Sequence, residues 1–92
     1  MKTKVLIKKL YSNVNIPTYK TSGSSGLDLE AFIGEDLMLK PNNTILVPTG
    51  LSVAIEDGLE IQIRPRSGLA AKNMISVLNT PGTIDADYRG EI

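Results

Sequence analysis

Three short segments hold most of the side chains that could do chemistry: SGLDLEA at 25–31, RPRSGLA at 64–70 and NTPGTIDADYRGEI at 79–92. The third crowds Asp85, Asp87, Tyr88, Arg89 and Glu91 together, behind an Asn79-Thr80-Pro81-Gly82 turn that fixes where they point. The chain contains no histidine and no cysteine. The usual general base, cysteine nucleophiles, thiolate metal sites and disulfides are therefore all excluded. A carboxylate is the natural base that remains, and Asp85, set between a turn and a strand, can accept a proton from water while Tyr88 supplies a flat wall.

RPRSGLA suits phosphate oxygens. Arg64 and Arg66 offer forked charged donors, Ser67 a rotatable hydroxyl, and Gly68 lets main-chain N–H groups approach an anion closely. Asp28 in the first segment could belong to a metal shell. Each segment also has a plain structural reading. RPRSGLA serves equally as a solvated strand end with a turn, Asp85 and Asp87 as turn residues satisfying backbone donors, and Asp28 as a strand aspartate bonded to its own surroundings.

The elements that must position these residues are short. Leu27, Leu29, Ala31 and Ile33 alternate with Asp28, Glu30 and Phe32, and Leu59, Ile61 and Ile63 alternate with Glu60, Gln62 and Arg64, the two-residue period of half-buried strands. Further apolar runs occupy 5–7, 37–39, 44–47, 51–55 and 74–78, with turn formers between them: Gly23-Ser24-Ser25-Gly26, Pro41-Asn42-Asn43, Pro48-Thr49-Gly50, Glu56-Asp57-Gly58 and Pro81-Gly82. No apolar stripe of helical period lasts three turns, and the only helical candidate is 68–72. The pattern predicts an all-β fold, a sandwich, barrel or jelly roll, in a single domain over 1–92.

At 92 residues and 41% hydrophobic, such a domain has a modest core and a reason to associate with copies of itself. Ten basic and ten acidic residues cancel, which argues against the broad positive field of a nucleic-acid binder and confines any phosphate site to a local cluster. The N-terminal MKTKVLIKKLYSN is too short in apolar residues for a signal-peptide core or membrane span, so the sequence reads as cytoplasmic. Arg89-Gly90-Glu91-Ile92 reads as a strand starting rather than finishing, which marks 1–92 as the incomplete N-terminal portion of a larger sheet.

In this order and spacing the segments resemble the first three of the five motifs of the trimeric dUTPase family, from about Ser22 to the end of the chain. Within the third, Asn79 lies six positions before Asp85 and Tyr88 three after, as that family's base-recognition, catalytic and sugar-contacting residues do. The resemblance implies a jelly-roll or distorted β-barrel subunit of short, mostly antiparallel strands and a homotrimer with shared active sites. It also implies Mg²⁺-dependent hydrolysis of dUTP to dUMP and pyrophosphate, a step that limits uracil incorporation into DNA and supplies dUMP for dTTP synthesis.

In that reading Asp85 activates the water, and Arg66, Ser67 and Gly68 hold the phosphates. Asn79 with the main chain at Thr83 and Ile84 pairs with uracil, and Tyr88 lies against the deoxyribose. Asp28 reaches the metal only through water. No nucleic acid or membrane partner is implied. The fourth and fifth motifs have no counterpart, which leaves two other readings open. One is a catalytically silent dUTPase-like module that binds nucleotide or protein, and the other is a relative of the dCTP deaminases.

Overall fold

The run Leu51–Ile55, just after the Pro48-Thr49-Gly50 turn, supplies most of the buried side chains, and the rest of the fold is organised around it. The structure, a computed structural model, describes residues 2–92. Strand β1 (Leu6–Lys9) pairs antiparallel with β2 (Leu51–Ala54), in register Leu6 with Ala54 and Lys9 with Leu51. The pairing extends outward through the Leu10 amide, which donates to the Gly50 carbonyl at 2.8 Å. On the other edge of β2 the Ile92 amide donates to the Leu51 carbonyl at 2.9 Å, and the Thr49 amide donates to the Ile92 carbonyl at 3.2 Å. With neighbours on both edges, β2 supplies most of the interior: Leu51, Ser52 and Val53 are buried, as is Ile55 just beyond.

Thr49 and Leu51 both bond to the single residue Ile92, so Gly50 between them forms a local bulge. Its φ of 72° is a left-handed conformation that glycine adopts freely. A Cβ there would also lie 2.6 Å from Val14 Cγ2 and 3.3 Å from Phe32 Cγ. Both neighbours belong to the small core, in which Val14 is buried and the Phe32 ring stacks on Tyr11 with centroids 5.2 Å apart.

The second ladder is antiparallel too. Strand β3 (Ile61–Ile63) pairs with β4 (Gly82–Ile84), matching Ile61 to Ile84 and Ile63 to Gly82. Between them helix α1 (Ser67–Asn73) covers the expected 68–72 and one residue beyond each end. It stops where Met74 turns left-handed at φ 56°, with its amide donating to the Ala70 carbonyl at 3.1 Å.

The architecture is all-β with one short helix, as expected, and the two ladders do not close a barrel among the described residues. The alternating segment 27–33 and the runs 37–39 and 44–47 lie outside any ladder. A two-residue period reports one face meant for burial, whereas a ladder needs a second strand alongside. Among the described residues no strand lies alongside these segments, and Leu27, Leu29, Ile33, Leu37, Ile45 and Val47 are exposed. One backbone bond anchors 27–33, from the Phe32 amide to the Pro48 carbonyl at 2.8 Å.

Candidate active site

The third segment is built as a braced loop. The Thr80 amide donates to the Val77 carbonyl at 3.0 Å, turning the chain into β4. Gly82 is buried, and a Cβ on it would sit 3.2 Å from Asn79 Oδ1 and 3.3 Å from Asn79 Nδ2. The absence of a side chain thus lets the Asn79 amide group lie against the start of β4, next to the exposed Thr83 and half-buried Ile84. After β4 the Tyr88 amide donates to the Asp85 carbonyl at 3.1 Å, closing a turn over 85–88. The Arg89 guanidinium braces that turn from outside, its Nη1 donating to the Ala86 carbonyl at 2.7 Å and to the Tyr88 carbonyl at 3.0 Å.

Beyond the turn, the Tyr88 hydroxyl donates to the Glu91 carbonyl at 2.7 Å, which folds the ring back over Gly90. A Cβ on Gly90 would meet that ring, 2.6 Å from Cζ and 3.0 Å from Cε1. The Glu91 carboxylate accepts the Gly50 amide at 2.8 Å, and the Thr49 hydroxyl donates to the Ile92 carbonyl at 2.7 Å. These contacts tie the loop to the core sheet. Within it Asp85 is exposed, and its carboxylate accepts no hydrogen bond from the described residues. A carboxylate held in place by its backbone, with both oxygens open, can take up a water molecule and then its proton.

The second segment begins at the end of β3. Arg66 is the N-cap of α1 in extended conformation, φ −72° and ψ 130°. No side chain caps the helix and its first turn has no acidic residue, so the amides of Ser67 and Gly68 stand uncapped beside two exposed polar side chains. Arg66, Gly68, Leu69, Lys72 and Asn73 line one open hollow. The first segment reaches the second through an ion pair, Arg66 Nη1 to Asp28 Oδ2 at 2.8 Å. Among the described residues no group of three acidic, histidine or cysteine side chains is placed to hold a metal ion.

Of the residues singled out from sequence, the structure brings Asp28 to Arg66 and Asn79 to Gly82. Among the described residues no hydrogen bond or ion pair joins Asp85 to the phosphate-type segment of the same chain. The β3–β4 register places Arg64 beyond the Gly82 end of the ladder and Asp85 beyond the Ile84 end, beside Glu60. Four residues of extended chain, from Glu60 to Arg64, span about 13 Å. Glu91 and Arg89 escaped the sequence reading as structural groups. The Glu91 partner lies 41 residues away in sequence, and no local pattern encodes that contact.

A model of the dUTPase family matches residues 12–92 of the chain. The chain is 60% identical over 84 residues to the deoxyuridine 5'-triphosphate nucleotidohydrolase of Treponema denticola, covering 91% of this chain and 58% of that protein. It is 61% identical over 79 residues to the protein of the same name from Fusobacterium nucleatum, covering 86% and 54%. With the Chlamydia felis protein of that name it shares 55% identity over 84 residues, covering 91% and 57%. The chain thus spans between 54% and 58% of the length of these relatives.

Proposed function

The chain belongs to the dUTPase family, and on that premise we propose that it takes part in hydrolysis of dUTP to dUMP and pyrophosphate, with Asp85 as the base. The observation that carries this reading is the Asp85 carboxylate, unpartnered at the end of a turn braced by Arg89 and anchored through Glu91 to the core sheet. Its relatives are named as enzymes acting on deoxyuridine 5'-triphosphate. In the reaction the water oxygen bonds to the α-phosphorus, its proton passes to Asp85, and the bond to the pyrophosphate oxygen breaks. Positioned general bases of this kind contribute roughly a hundred- to ten-thousand-fold in rate.

The other residues take the roles their chemistry suits. Arg66, Ser67 and the Gly68 amide would hold the phosphate chain and offset the charge that builds on the leaving oxygens. Asn79, with the main chain at Thr83 and Ile84, would pair with the polar edge of uracil. Cytosine, with donor and acceptor exchanged there, would leave those groups unpaired. The Tyr88 ring would leave no room for a ribose 2′-hydroxyl. Magnesium would enter with the substrate, held mainly by triphosphate oxygens and water, since among the described residues no acidic group is placed to hold it and Asp28 is paired with Arg66.

The register, with Asp85 beyond the Ile84 end of the ladder and Arg64 beyond the Gly82 end, supports a site assembled from more than one copy, with Asp85 from one chain facing the Arg66–Gly68 segment of another. A homotrimer with shared sites meets that need. Among the described residues no helix is long and apolar enough to cross a membrane, and the proposed localisation is cytoplasmic.

One competing reading is a silent module that binds nucleotide without turnover, since a family fold does not by itself guarantee turnover. Mixing the chain with dUTP and Mg²⁺ in weakly buffered solution separates the two. Acidification with pyrophosphate release, abolished by Asp85→Asn, is the expected result, whereas nucleotide binding without acidification establishes the silent module.

A further inference from the structure

We propose that Asp28 is a positioning residue that pins the Arg66 guanidinium at the mouth of the hollow it shares with Gly68 and Lys72, so that the free side of the fork receives polyphosphate. This inference rests on the reading of that segment as the phosphate site. Arg66 stands on the N-cap of a seven-residue helix and its side chain is 67% exposed, so alone it would sample many rotamers. Asp28 is 29% exposed and is carried by a segment anchored through Phe32.

The contact is one-cornered. Nη1 donates to Asp28 Oδ2 at 2.8 Å, and no other hydrogen bond from Arg66 side-chain nitrogens occurs among the described residues. Of the five donors of a guanidinium, the pair uses one, and the Nε–Nη2 edge keeps the geometry that grips two oxygens of one phosphate. The hollow's second cation, Lys72, lies six residues further on, in the last turn of α1. Asp28 therefore lowers the entropy cost of anion capture by holding the fork ready. Its negative charge acts against this, since by Coulomb attraction alone a carboxylate near the site weakens anion binding. Positioning and net charge thus predict opposite signs for the loss of Asp28.

The test is titration calorimetry of the chain with inorganic triphosphate in the presence of EDTA, which removes any part played by a metal ion. Asp28→Asn is expected to weaken binding roughly two- to fivefold, the scale of an exposed ion pair, and Asp28→Glu to restore part of the loss. In an Arg66→Met background the same Asp28→Asn change is expected to leave binding unchanged or slightly tighter. Equal or tighter binding by Asp28→Asn alone overturns the proposal, and so does the same loss in both backgrounds.

Absence of triphosphate binding by the unsubstituted chain overturns the phosphate-site reading itself. The pairing is then judged by NMR of the Arg66 side chain, where Asp28→Asn is expected to speed Nε–H exchange and Asp57→Asn to leave it unchanged. Indifference of Arg66 to Asp28→Asn in that measurement also sinks the proposal.

Discussion

Asp85 owes its place to its neighbours' backbone bonds and none of it to a partner of its own, so the residue can be changed with little structural consequence. Asp85→Asn is expected to lower pyrophosphate release by roughly a hundred- to ten-thousand-fold while leaving nucleotide affinity measurable by calorimetry. Turnover at the unsubstituted rate would remove it as the base. Gly90 acts through Tyr88, because the ring folded across it occupies the space of any Cβ. Gly90→Ala should therefore push the ring off its bond to the Glu91 carbonyl and narrow the preference for dUTP over UTP in competition binding. An unaltered preference would separate Gly90 from sugar selection, and an unaltered preference in Tyr88→Ala would remove Tyr88 as the wall.

The elements divide sharply between those with neighbours on both sides and those without. Strand β2 lies between β1 and the Glu91–Ile92 end, and the buried residues follow from that. Ile55→Ala is expected to cost about 2 kcal/mol, read from the urea midpoint. Leu46→Ala, at a position 98% exposed, is expected to stay within about 0.5 kcal/mol. Comparable losses at both positions would contradict a core centred on β2. The junction between the third segment and that core rests on the Glu91 carboxylate and the Gly50 amide. Glu91→Ala should accelerate amide exchange at Gly50 and Ile92 ahead of the rest of β2, since the acceptor is lost without a replacement.

The chain carries more surface than its mass warrants. Its accessible area is 7665 Å², against about 5,200 Å² for a compact monomer of this size. Its radius of gyration is 14.2 Å, against about 12 Å expected. The excess is comparable to what obligate subunits bury on assembly, and it lies over the unladdered segments with their exposed Leu27, Leu29, Ile33 and Leu37. The isolated chain should therefore bind a hydrophobic dye and self-associate, with an unfolding midpoint that rises with protein concentration. A concentration-independent midpoint together with monomeric sedimentation would count against assembly.

Sequence alone determined the all-β class, the short helix after RPRS and the turn that opens the third segment. Those features rest on local physics: side-chain period, turn-forming residues and the φ freedom of glycine act within a few positions. It also determined the family, through the spacing of Asn79, Asp85 and Tyr88. Only the tertiary structure decided that Asp28 meets Arg66 and that Glu91 caps Gly50, contacts that span 38 and 41 residues. It alone also set Asp85 and Arg64 beyond opposite ends of one ladder. Such contacts depend on which strands find partners, and that is settled by long-range packing that no local pattern records.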